Sequence, residues 1–414
     1  MPDSRKPQMG DTIKFSWRGR EMTGTLISMD NDFFNIKLEN GYNISVKIDS
    51  FTVLKKGKIQ ALSKGEEARE SGTGKPISLI TTGGTIVSRV DYKTGAVFPS
   101  LDIGELTSKF RYIENKYRLK RVDFSNILSE NMEPDQWISL AKRASSELNN
   151  SEGVVISHGT DTMSYTASAL AFMFEEQTGP IVLVGSQRSS DRPSSDSYLN
   201  LEAAVDFATT DFGEVGISMH HNTSDERIDL IRGTRSRKMH STRRDAFKAI
   251  GEQPIGSFQE GLVNLNGSYR RKKNENKLKT NLEKRVSIIY MYPGLTDEEL
   301  AKSMDGKKGI ILMGTGLGHI ATKFLESISE RVKDGMKAVI TTQCIFGTTN
   351  LDIYSTGREM KKAGIISVGN ILPETAYVKM MHVLGNYEEE EFETMMRKNM
   401  RGELIEREEL GVFL

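Results

Sequence analysis

Cysteine occurs once in 414 residues, at Cys344. No disulfide can close within the chain, and a Cys-based metal cluster is excluded. Histidine is also scarce. The six are scattered, and His220-His221 are adjacent rather than one helical turn apart, so no structural metal is expected. Neither sign of charge is in excess: 56 Lys and Arg balance 56 Asp and Glu. The whole molecule is therefore not a polyelectrolyte, and any contact with nucleic acid must come from a local patch. No apolar run approaches the ~18 residues of a membrane span. The opening Met1-Pro2-Asp3-Ser4-Arg5-Lys6 lacks the apolar core of a signal peptide. Ser71-Gly72-Thr73-Gly74-Lys75-Pro76 does not have phosphate-loop spacing, so ATP is not expected on this chain. These absences point to a cytoplasmic protein with no membrane contact.

With 37% hydrophobic and 27% charged residues, the chain has room for two or three domains. Residues 1–57 read as a small SH3-like β-barrel used for docking. Ile13, Phe15 and Trp17 alternate with polar residues, as do Phe34, Ile36 and Leu38, and Asn40-Gly41 is a hairpin signal. Residues 58–75 turn to Lys, Gly, Glu and Ser and read as a linker. From 76 onward short apolar runs alternate with helical patterns, such as Trp137, Leu140, Ala141, Ala144 and Leu148 after Pro134. That alternation predicts an α/β architecture: mostly parallel sheets with helices on both faces, in two lobes, 76–285 and 286–414. Tyr269 to Arg285 is strongly basic and reads either as a solvated connection or as an RNA-phosphate patch. Gly314-Thr315-Gly316-Leu317-Gly318 lacks the full dinucleotide fingerprint and reads as a tight turn.

Two stretches share one grammar. Ile77-Ser78-Leu79-Ile80 leads into Thr81-Thr82-Gly83-Gly84-Thr85-Ile86, and Val154-Val155-Ile156 leads into Ser157-His158-Gly159-Thr160-Asp161-Thr162. Each is a buried strand, a Gly-punctuated turn and a hydroxyl at the strand's carboxyl end, where open α/β sheets place their ligands. Either alone is an ordinary turn with a capping Thr. Together they supply two hydroxyls and a carboxylate.

This pair resembles the signature pair of the L-asparaginase/glutaminase family. Ser129-Glu130-Asn131-Met132 resembles that family's substrate-binding segment. Gly185-Ser186-Gln187-Arg188 with Arg192-Pro193-Ser194-Ser195-Asp196 resembles the segment after its third catalytic strand. Gly233-Thr234-Arg235-Ser236-Arg237-Lys238 resembles the segment ending on its catalytic lysine. The resemblance implies a Thr85 nucleophile and a Thr160, Asp161, Lys238 group. It also implies substrate contacts from Ser129, Glu130, Gly84 and Gly159, and a loop tyrosine at Tyr92. For Ser129-Glu130 the plainer reading is a helix cap ahead of Pro134; for Tyr92, an exposed loop aromatic; for Lys238, one member of the basic run to Arg244. His158 reads as a packing or hydrogen-bonding residue under the turn, not a catalytic base.

The amino-terminal barrel, the linker, the basic insertion and the ending Arg401-Gly402-Glu403-Leu404-Ile405-Glu406-Arg407 are not features of ordinary asparaginases. With them the whole chain resembles the D-type subunit family of archaeal glutamyl-tRNA(Gln) amidotransferases. The resemblance implies release of ammonia from Gln or Asn in a homodimer joined by two copies of an E-type partner, giving a heterotetramer. In that assembly the E-type partner carries ATP and Mg and meets most of the tRNA(Gln). A free-standing asparaginase, and an RNA-binding scaffold on an inactive asparaginase fold, are the competing readings.

An amide carbonyl is a poor electrophile, so its hydrolysis calls for a nucleophile, a proton acceptor and a held oxyanion. Thr hydroxyls and a lysine can divide those roles, with N–H groups near Gly159 and Thr160 for the oxyanion. A carboxylate beside the lysine favours its charged form and burial opposes that. Which threonine attacks first stays open.

Overall fold

The computed structural model describes residues 7, 10–17, 19–30, 33–38, 43–48, 50–56, 70–71, 74–83, 88–90, 97–99, 111–189, 194–266 and 268–408. Thr85, Gly84 and Tyr92, the Asn40-Gly41 turn, most of the proposed linker and Arg192-Pro193 lie outside the described residues.

The first unit is a five-stranded antiparallel sheet of β1 (Thr12–Trp17), β2 (Arg20–Asp30), β3 (Phe33–Leu38), β4 (Asn43–Lys47) and β5 (Phe51–Lys55), in the order β4-β3-β2-β1-β5. Period-2 patterning sends Ile13, Phe15, Leu26, Ile36, Leu38 and Val46 to one interior. The fifth strand returns to pair with the first.

The main sheet draws on β6 (Glu70–Ser71), β7 (Lys75–Thr81), β10 (Tyr117–Asp123), β11 (Gly153–Ser157), β13 (Ile181–Val184), β14 (Val215–His220), β15 (Arg227–Arg232), β18 (Gly256–Gln259) and β19 (Leu262–Leu265), in the order β19-β18-β15-β14-β13-β11-β7-β10-β6. Between them in the chain fall short two-stranded ladders. These are β8 (Ser88–Val90) with β9 (Val97–Pro99), β12 (Phe174–Glu176) with β20 (Lys277–Leu278), and β16 (Ser236–Lys238) with β17 (Phe247–Ala249). The five strands β10, β7, β11, β13 and β14 are parallel. On one flank β15, β18 and β19 run antiparallel, which the alternating sequence pattern did not reveal.

Both faces of this sheet are covered. Ile80, Val154, Ile156 and Leu183 face the helices Pro134–Leu148 and Met163–Met173. Ile77, Leu79, Val155 and Val182 face the helix Ser197–Phe207. That two-sided burial explains why these strands read as mostly apolar runs rather than strictly alternating ones. At ~1.5–3 kcal/mol for each large apolar side chain withdrawn from water, these two layers stabilise the lobe substantially.

The second lobe is an all-parallel sheet of β21 (Val286–Tyr290), β22 (Gly309–Gly314), β23 (Lys337–Thr342) and β24 (Ile365–Ser367). Its outer face packs Ile289, Ile310, Leu312 and Ile340 under three short helices. Its inner face sends Val286, Ile311 and Val339 into the same core as the first lobe. The helix Pro373–Asn386 contributes Ala376, Val378, Met380 and Met381 to that core beside the helix Met163–Met173. The turn after β22 is held by a Thr315–His319 bridge and positive φ at Gly316 and Gly318, a tight turn as its sequence suggested.

Candidate active site

β7 and β11 lie side by side in parallel, with Thr81 opposite Ser157. Their carboxyl ends therefore release the two motif turns next to each other. The Thr82 hydroxyl donates to the Ser157 carbonyl at 2.9 Å and the Thr82 N–H to the same oxygen at 3.2 Å. Gly83 follows with φ +111°, and a Cβ there would lie 2.5 Å from the Ile127 carbonyl. Only glycine fits both that backbone and that approach. Thr85 lies two residues further, outside the described residues.

The other turn carries Thr160 and Asp161. Lys238, at the end of β16, donates from Nζ to the Thr160 hydroxyl at 2.9 Å and to Asp161 Oδ1 at 2.7 Å. The Lys238 side chain is 15% exposed and that of Asp161 67%. One side of the cluster is thus closed and the other opens to solvent, as a site that admits substrate requires. The Thr160 methyl packs on Gly185, where a Cβ would come within 2.7 Å of it. Among the described residues, neither the Gly159 nor the Thr160 N–H has an acceptor.

Ser129 is buried in the short 3-10 turn Ser129–Asn131, and its carbonyl accepts the Thr162 hydroxyl at 2.6 Å. A Cβ on Gly159 would sit 2.7 Å from Ser129 Cβ, so that glycine lets the Ser129 segment close against the turn that carries Thr160. Glu130 is exposed beside it. The cap of the following helix is Glu133, in a capping box with Gln136, so Ser129 and Glu130 are not engaged as its cap.

His158 lies wholly buried beneath the turn. Its Nδ1 is 2.7 Å from the Gly159 carbonyl, which can only accept, so Nδ1 carries the proton. Nε2 then accepts the Thr166 hydroxyl at 2.9 Å, and Thr166 accepts Trp137 Nε1–H at 3.0 Å. Burial holds the imidazole neutral, with its pKa pushed down to about 4. This Trp137–Thr166–His158 chain fixes the floor of the turn. Sequence reasoning missed Thr166. Its place one helical turn after Thr162 was the available signal.

The basic stretch from 269 to 285 is largely compensated. Arg271 pairs with Asp211, Lys277 with Glu176 and Glu275, Lys279 with Glu175, Lys284 with Asp135, and Arg285 with Glu283, all within 3.1 Å. Those carboxylates offset part of the positive charge that a phosphate-binding patch would use.

The sequence and the fold are matched by known proteins. The family model "Asparaginase, N-terminal" covers residues 76–271 and "Glutaminase/Asparaginase C-terminal domain" covers 285–396. The thermostable L-asparaginase from Thermococcus kodakarensis superposes with a TM-score of 0.73 at 30% identity, covering 99% of that chain but 80% of this one. L-asparaginase I from Vibrio cholerae gives 0.69 at 27%, again covering 80% of this chain. A fifth of the chain thus has no counterpart in a whole asparaginase. The D-type subunit of glutamyl-tRNA(Gln) amidotransferase from Thermoplasma volcanium, in contrast, is 46% identical and matches 95% of this chain and 97% of its own. The chain belongs to the D-type subunit family of glutamyl-tRNA(Gln) amidotransferases. The Saccharolobus solfataricus relative agrees, at 43% identity over 98% of this chain and 94% of its own. D-type relatives therefore share the region before residue 76, which lies outside both asparaginase models.

Proposed function

We propose that this chain is the ammonia-producing subunit of a tRNA-dependent amidotransferase, hydrolysing the side-chain amide of Gln or Asn. The observation that carries the reading is Lys238 bonded at once to the Thr160 hydroxyl and the Asp161 carboxylate, on the turn beside the end of β7. In this reading Thr85 attacks the amide carbon. The Thr160–Lys238 contact carries the proton, Asp161 orients the lysine, and the N–H groups around Gly159 and Thr160 receive the oxyanion. Ser129 and Glu130 hold the amino-acid end of the substrate, Gly84 contributes to substrate binding, and Tyr92 assists the attacking threonine.

The match to D-type relatives over nearly the whole chain favours this reading over a free-standing asparaginase. By the same reading the chain forms a cytoplasmic homodimer on which two copies of the E-type partner dock. That partner brings ATP and Mg, most of the tRNA(Gln) contact and the acceptor glutamyl group. The test is ammonia release from Gln and Asn by the full chain, with and without the E-type partner, ATP and Glu-tRNA(Gln). Weak basal release that rises when all are present is expected. Full activity of the chain alone would mark a free-standing amidase. No release under any condition, unchanged by Thr160→Val, would leave an inactive scaffold.

A further inference from the structure

The two-stranded ladder β16–β17 carries Lys238 but is not hydrogen-bonded into either large sheet. A two-stranded ribbon is marginal by itself, so something else must hold its base. That base is the 3-10 turn Gly233–Arg235, and Arg235 is the largest side chain among the described residues with less than 2% exposure. Its guanidinium has no carboxylate in hydrogen-bond contact among the described residues. Instead Nε donates to the Ile250 carbonyl at 2.8 Å, Nη2 donates to the same oxygen, and Nη1 donates to Asn370 at 2.6 Å and Glu403 at 3.1 Å, both through carbonyls.

Three separate chain segments thus meet on one side chain: the return strand of the ribbon, the second lobe and the carboxyl-terminal segment. The last is fastened independently. Thr234 donates to the Arg401 carbonyl at 2.9 Å. Glu403 accepts the Met400 and Arg401 N–H groups and a fully buried Lys379 at 2.6 Å. Gly402, at φ +74°, lies so close to Arg232 that a Cβ would meet its side chain at 2.6 Å.

We propose that Arg235 is a positioning residue for Lys238, and that residues 400–403 act through it to set the lysine's place against Thr160 and Asp161. The carboxyl-terminal segment is then part of the catalytic scaffold rather than an inert tail. A partner that pulls on it alters amide hydrolysis without touching substrate. This deepens the amidase reading above and rests on it. Burial lowers the pKa of the guanidinium, a cost that fits a residue retained for its geometry.

The test uses the full chain, alone and with the E-type partner, assayed for ammonia release from Gln. Arg235→Ala is expected to lower kcat at least tenfold per folded molecule, with KM within twofold. Its pH–kcat profile should be displaced, and guanidinium chloride at non-denaturing concentration should restore part of kcat. Gly402→Ala perturbs the segment without removing a buried charge and covers the case in which Arg235→Ala does not fold. It is expected to lower kcat severalfold with the profile moved in the same direction. Wild-type kcat and profile in Gly402→Ala, or losses in Arg235→Ala that track the folded fraction with no rescue, would overturn the proposal. A wild-type chain that releases no ammonia, alone or in complex, instead removes the amidase reading itself.

Discussion

The Lys238 ammonium sits 2.9 Å from the Thr160 hydroxyl across 78 residues of sequence. On this contact the proton transfer of the proposed reaction depends. Lys238→Met should lower amide hydrolysis by about 10²–10⁴, the range for a lost acid–base group. Lys238→Arg should be nearly as damaging, because guanidinium does not release its proton. Steady-state ammonia release checks both, and an active Lys238→Arg enzyme would deny the lysine a proton-carrying role.

Thr160→Val keeps the shape that packs on Gly185 and removes only the hydroxyl. It should lose activity on the scale of Lys238→Met while shifting Tm by only a few degrees. The double variant should be little worse than either single change, since the two groups act as a unit. Additive losses in kcat would show that they do not.

The neutral, buried His158 makes the fold acid-sensitive. Its pKa of about 4 in the folded chain lies below the ordinary 6.5, so between those values the unfolded chain binds a proton that the folded chain refuses. Stability is complete above the upper value and declines as pH falls through the interval, by up to ~3 kcal/mol from this group. Thermal melts of wild type and His158→Gln across that range check it. The variant should start lower near neutrality and fall less steeply.

Lys379 and Glu403 form an ion pair with neither side chain exposed. Glu403→Ala should destabilise by ~3–5 kcal/mol, because it strands a buried ammonium. Adding Lys379→Met should recover part of that loss. Denaturant titrations of the three variants measure it, and a single substitution costing less than the double would contradict the account.

Lys277 and Lys279 already face Glu176 and Glu175. Replacing both with Ala should leave the affinity of the assembled complex for tRNA within about twofold and its salt slope unchanged. A slope smaller by one or two would mean that these cations contact phosphate after all.

Much of the α/β architecture was readable because β7, β11 and β13 are buried on both faces and so appear as short, mostly apolar runs. The antiparallel flank was not, because Arg227–Arg232 begins and ends on arginine and β18 and β19 are short and partly exposed. In the site, the Gly-punctuated turns declared themselves by composition. Lys238 did not: it stands in a basic run, and only resemblance to a known family singled it out. The stretch from Arg401 to Arg407 contributed to the family resemblance, but its contact with Arg235 gave no sequence signal, because Arg235 holds it through carbonyl oxygens, which every residue type supplies alike.

The pairing of Thr81 with Ser157, and the arrival of Lys238 on a separate ribbon, give this centre a temporal property. On the proposed mechanism the centre stays incomplete during synthesis until residue 238 has left the ribosome, and the Arg235 clamp stays incomplete until residue 403 follows. A nascent chain that stops before residue 238 would then lack the proposed proton carrier, and one that stops before residue 403 would hydrolyse amide more slowly than the full chain.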